Sequence, residues 1–86
     1  MNELINEKIS VITSYNRDSG QVFPRKIRWQ GRDYLIKKLT YYHRARMGRI
    51  LLHIFHVTDG QLDFRLQLNS ESLAWTLEEV CDGNPN

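Results

Sequence analysis

The sequence predicts an all-β fold: a single small antiparallel barrel or strongly bent sheet of five or six strands. Three observations carry that expectation. Apolar residues recur at every second position over most of the chain, the period of a half-buried strand rather than of a helix. Turn-forming stretches, Asn16–Gly20, Gln30-Gly31, Asp59-Gly60 and Asn69–Ser72, recur between them at the roughly ten-residue spacing of small all-β domains. The chain has 86 residues, a length that fits one domain, residues 1–86, with one modest core.

The first strand is expected over Lys8–Tyr15, where Ile9, Val11 and Tyr15 share one parity and Ser10 and Ser14 the other. The preceding residues 1–7 show no alternation and are expected to form a mobile arm. Pro24 has no N–H to give a ladder, so it should open the second strand or lie on an edge. Ile27 and Trp29 then alternate with Lys26, Arg28 and Gln30. Gln30-Gly31 forms a tight turn, with Gly31 taking the positive φ that other residues resist. The third strand runs from Arg32 to Tyr42. Its apolar parity slips across Lys37-Lys38, which predicts a β-bulge there.

His43–Arg49 is expected to be a basic loop hinged at Gly48. Ile50–Val57 is apolar on both parities, as in a central strand covered on both faces. A helical reading of Arg44–Val57 is opposed by Asp59-Gly60 directly after it, which predicts a type I′ hairpin turn. Leu62, Phe64, Leu66 and Leu68 then point inward, and Asp63, Arg65 and Gln67 outward. A last strand carries Trp75 and Leu77, and residues 83–86 should fray. The expected core is Trp29, Ile54, Phe64, Leu66, Trp75 and Leu77.

Composition excludes several function classes. No apolar run approaches the length of a membrane-spanning helix. The N-terminal stretch carries Glu3 and Glu7 and no uninterrupted apolar block, unlike a signal peptide. Cys81 is the single cysteine, so no internal disulfide forms, and a cytoplasmic location is expected. His53 and His56 are three apart, which on a strand places them on opposite faces, so they do not chelate one ion. Adjacent Glu78 and Glu79 diverge likewise, and one is expected to pair with an arginine of a neighbouring strand. No phosphate-binding glycine loop or nucleophile elbow is present. Neither a cofactor, a metal nor catalysis is expected.

Charge is unevenly placed. Nine basic residues and one acid, Asp33, lie between Arg25 and Arg49; six acids and one base, Arg65, lie from Asp59 onward. Arginine outnumbers lysine in the basic segment, and its planar fork suits phosphate. The candidate nucleic-acid-binding residues are Lys26, Arg28 and Arg32 on the first hairpin, Arg44, Arg46 and Arg49 in the loop, and Tyr42 beside it as a stacking surface. The bland alternative is a positive face that is merely solvated, or paired with Glu78 and Glu79. Two functions follow: a non-catalytic accessory module contacting nucleic acid weakly and salt-dependently, or an interaction module joining a protein partner or a second copy through an exposed strand edge.

The segments IRWQGRDYLIKKL, FRLQL and AWTLEEVCD resemble an uncharacterised bacterial family of short β-rich domains. The matching positions are Trp29, Gly31, Arg32, Tyr34, Ile36 and Leu39, then Trp75, Leu77 and Val80. The resemblance spans Val22–Asp82. Genes of that family often lie beside those of lesion-bypass DNA polymerases, so the resemblance implies a link to DNA repair. It assigns no catalytic residue.

Overall fold

The structure is a computed structural model and describes residues 2–82. Its elements are β1 (Asn2–Asn16), β2 (Gln21–Trp29), β3 (Arg32–Leu35), β4 (Lys38–Met47), β5 (Ile50–Thr58), β6 (Leu62–Asn69) and β7 (Trp75–Asp82). They form one antiparallel sheet in the order β3-β2-β1-β7-β6-β5-β4. The chain is therefore all-β, as its alternation predicts. It differs in count and closure: there are seven strands rather than five or six, and the sheet is not closed into a barrel.

Two hydrogen bonds account for the extra strand. Ile36 N–H donates to Arg25 O on β2, and Lys37 N–H donates to Thr58 O on β5, both at 2.8 Å. The backbone leaves one edge of the sheet at Ile36 and joins the opposite edge one residue later. The strand expected from Arg32 to Tyr42 is thereby split. The parity slip at Lys37-Lys38 marks this crossing and not a bulge. The bulge lies further on, where the register shifts between Leu39 and Tyr41.

One ring contact shows how far the sheet rolls. Tyr34 on β3 and Phe64 on β6 are four places apart in strand order, which in a flat sheet means about 19 Å. Their ring centroids are 5.3 Å apart, edge to face. The sheet must curl until its two ends share a core. That core holds Ile27, Ile36, Phe55, Val57, Phe64, Leu66, Leu77 and Val80. Trp29 and Trp75 pack against it while only partly buried. Ile54 is also buried, at 2% exposure, but stands outside this cluster. It lies on the outer face, between His43 of β4 and Gln67 of β6. This is why β5 reads as apolar on both parities: Phe55 and Val57 face the core, and Leu52 and Ile54 are covered by neighbouring side chains on the other face.

Two segments expected to be irregular are strand. Asn2, Glu3 and Leu4 pair with Cys81, Val80 and Glu79, so residues 2–7 are not a free arm. Asn6 has φ 54° within a register shift between Leu4 and Glu7, and this bulge hides the alternation. His43–Met47 continues β4 rather than forming a loop. The turn after β5 is also not type I′. Gly60 has φ 101°, but Asp59 does not share the positive φ that turn needs. Instead Asp59 Oδ1 accepts the N–H groups of Gln61 and Leu62, at 2.8 and 2.7 Å. The frayed tail expected over 83–86 lies outside the described residues.

Candidate nucleic-acid interface

The β4–β5 hairpin turns in two residues, Gly48 and Arg49. Gly48 has φ 62° and Arg49 does not share it, the pattern of a type II′ turn. This turn fixes every partner outward from it: Met47 faces Ile50, Arg46 faces Leu51, Arg44 faces His53 and Tyr42 faces Phe55. Directly paired residues share a face. Since Phe55 is in the core, Tyr42, Arg44, Arg46, Leu51 and His53 lie on the inner face of the curled sheet. The other parity, Tyr41, His43 and Ala45, lies outside with Ile54 and His56.

Tyr42 is the best-placed aromatic of this face. Its ring is 5.1 Å from Phe55 and 5.9 Å from His53, and the Tyr42 and His53 planes differ by 18°. The Tyr42 hydroxyl is hydrogen-bonded to His53 Nδ1, donating when that nitrogen is unprotonated. At 5.9 Å the two rings are too far apart to lie face to face, and a bond from the phenol oxygen to a ring nitrogen joins them at their edges. Together they present a broad aromatic surface. Beside it is a cleft of about 230 Å³, lined by Val22, Leu39, Phe55 and Leu68 together with Gly20 and Gln21.

Arg44 and Arg46 continue the same face beyond Tyr42 and are exposed, as is Arg49 in the turn. These three arginines form no ion pair among the described residues. The acidic last strand does not neutralise them. Glu78 is held instead by Arg65, whose Nε lies 2.9 Å from Oε1, and by a hydrogen bond from Gln67.

The first-hairpin residues behave differently. Lys26 and Arg28 share Asp33, at 3.7 and 3.3 Å. Exposed pairs of this kind contribute about 0–1 kcal/mol and leave the cations only loosely committed. Arg32 sits with its guanidinium 5.9 Å above the Tyr34 ring. It lines a groove shared with Asp33, Asp59 and Asp82. So the sequence-predicted residues separate into two groups. Tyr42, Arg44 and Arg46 form a coherent face with Arg49 at its tip, whereas Lys26, Arg28 and Arg32 lie on β2–β3 among carboxylates. Sequence reasoning missed His53, Phe55 and the Gly20–Val22 contribution. Counting pairs outward from Gly48-Arg49 would have found the first two; the third needs the curl of the sheet.

The outer face carries its own ring cluster. Tyr41, His43 and His56 are mutually 5.3 to 5.5 Å apart. Burial, then the charge of Arg65 and that of His43, hold the His56 imidazole below its ordinary value of 6.5, against the opposing pull of Glu78 and Glu79. Below pH 6.5 the unfolded chain takes up this proton more readily than the folded one, so stability is lost as pH falls. Urea midpoints measured at pH 7.5 and 5 should show His56→Gln gaining on the wild type at the lower pH. An unchanged difference between the two proteins would contradict this.

Comparison with known proteins finds no matching family model, no similar curated protein and no similar solved structure.

Proposed function

We propose that this domain is a non-catalytic module that contacts nucleic acid through the inner face of the β4–β5 hairpin. The observation that carries the reading is the grouping of Tyr42, Arg44 and Arg46 on one face, with no carboxylate paired to the arginines among the described residues. Arginines supply sequence-independent phosphate contact, and an aromatic beside them suits an unpaired base. A role near DNA repair rests on the family resemblance alone, and a cytoplasmic location on the cysteine count.

The test is a fluorescence-anisotropy titration of a labelled single-stranded oligonucleotide at about 50 and 200 mM salt, where counterion release is most visible. Wild type should bind at the lower salt with a dissociation constant on the order of 1–100 μM, the range of non-specific binding. Replacing Arg44, Arg46 and Arg49 together by alanine should weaken binding several-fold. It should also flatten the log–log salt slope by about 2, since each single-strand phosphate contact contributes about 0.7. Replacing Lys26 and Arg28 by alanine should change affinity less than twofold. No binding at the lower salt, or equal binding by the triple variant, would overturn the proposal.

A second reading has its own support. β4 is ten residues long and among the described residues pairs only with β5, so its other edge offers a site for strand addition by a protein partner or a second copy. Charged residues on such an edge normally guard against that pairing, and β4 carries Arg44 and Arg46. A molar mass that doubles with concentration in light scattering would favour this reading.

A further inference from the structure

The cleft beside Tyr42 carries the nucleic-acid reading one step further. We infer that it receives one unstacked nucleobase of a single strand, whose backbone runs along Arg44 and Arg46; the inference rests on the function proposed above. Its size is the first argument. At about 230 Å³ it falls below the range of about 300–1,000 Å³ that holds drug-sized molecules, leaving room for one small ring system. Its walls are the second. Val22, Leu39, Phe55 and Leu68 are apolar and suit the faces of a heterocycle. Tyr42 and His53, joined edge to edge, supply a flat surface to stack on, while Gln21, which also lines the cleft, offers a base edge a polar partner. Charge complementarity is the third. Arg44 is the next same-face residue after Tyr42, about 6.8 Å further along the strand. It is therefore placed to meet the phosphate attached to the seated base, with Arg46 next beyond. A duplex has no free base to offer, so the preferred ligand is a single strand.

The experiment compares a labelled ten-nucleotide thymidine strand with a strand of equal length made wholly of abasic sugar-phosphate, by anisotropy at about 50 mM salt. Wild type should bind the thymidine strand about five- to a hundred-fold more tightly, the worth of one stacked base. Tyr42→Ala should lower its affinity for the thymidine strand to that for the abasic strand, with the abasic affinity unchanged. Tyr42→Trp should restore the preference. Tyr42 is 40% exposed, so these variants should fold; unaltered melting curves would confirm that they do. If both strands bind wild type equally, or if Tyr42→Ala leaves thymidine affinity intact while loss of Arg44 and Arg46 weakens it, the seated base is wrong and the phosphate contact stands. If neither strand binds, both proposals fall.

Discussion

Phe64→Ala is expected to lower unfolding stability by about 3–5 kcal/mol, the cost of emptying a large aromatic site in a packed core. Phe64 is 2% exposed. It is paired with Val57 on one side and Val80 on the other, and its ring meets Tyr34 from the far end of the sheet. The ring thus fills the space that the curl encloses, and no neighbour can relax into it without unrolling the sheet. Domains hold about 5–15 kcal/mol in total, and one this small lies toward the lower end. The melting temperature should fall by at least about 12 °C, at roughly 4–8 °C per kcal/mol for this size. A variant that melts cooperatively within a few degrees of wild type would contradict the described core.

Removing residues 1–7 should cost about 2 kcal/mol or more. Ile5 packs against the core from β1, and full burial of such a side chain is worth about 1.5–3 kcal/mol. The deletion also takes away the partners of Leu77, Glu79, Val80 and Cys81 on β7. That exposes a strand edge in the middle of the sheet, so the shortened protein should also aggregate more readily. Thermal melts and light scattering of the shortened chain would show both effects. An unchanged melting temperature would mean that these residues are the loose arm their composition suggests.

What could be read from the sequence depended on whether local chemistry or long-range geometry set the outcome. Gln30-Gly31 was legible as a tight turn, and both residues take positive φ, 53° and 74°. Alternation over Leu62–Leu68 gave the inward residues of β6, of which Phe64 and Leu66 are fully buried. The pairing of one of Glu78 and Glu79 with an arginine was also legible, and the partner is Arg65. The pairing of residues 2–7 and the continuation of β4 over His43–Met47 are not legible, because a bulge at Asn6 and a row of arginines mask the alternation there. The change of edge at Ile36-Lys37 depends on the whole sheet rolling, which no local pattern encodes.

The same division holds for the candidate site. Tyr42, Arg44 and Arg46 are visible as residue types; their sharing of one face follows from the two-residue period of a strand, and the turn at Gly48-Arg49 makes it the face of Phe55. The separation of Lys26, Arg28 and Arg32 from them was not visible, because the two groups sit on different hairpins whose relative placement is set by the roll of the whole sheet. Nor was the cleft, since Val22 and Leu68 come from strands far apart in the chain.

The proposed contact of nucleic acid with the inner face of the β4–β5 hairpin can be mapped residue by residue. Backbone amide NMR shifts during titration with a short thymidine strand at low salt test it most directly. Perturbations should grow with added strand at Tyr42, Arg44, Arg46, Leu51 and His53, extend to Gly20 and Val22 across the cleft and fade as salt is raised. Perturbations confined to Lys26, Arg28 and Asp33 on β2–β3, or none at any residue, would contradict it.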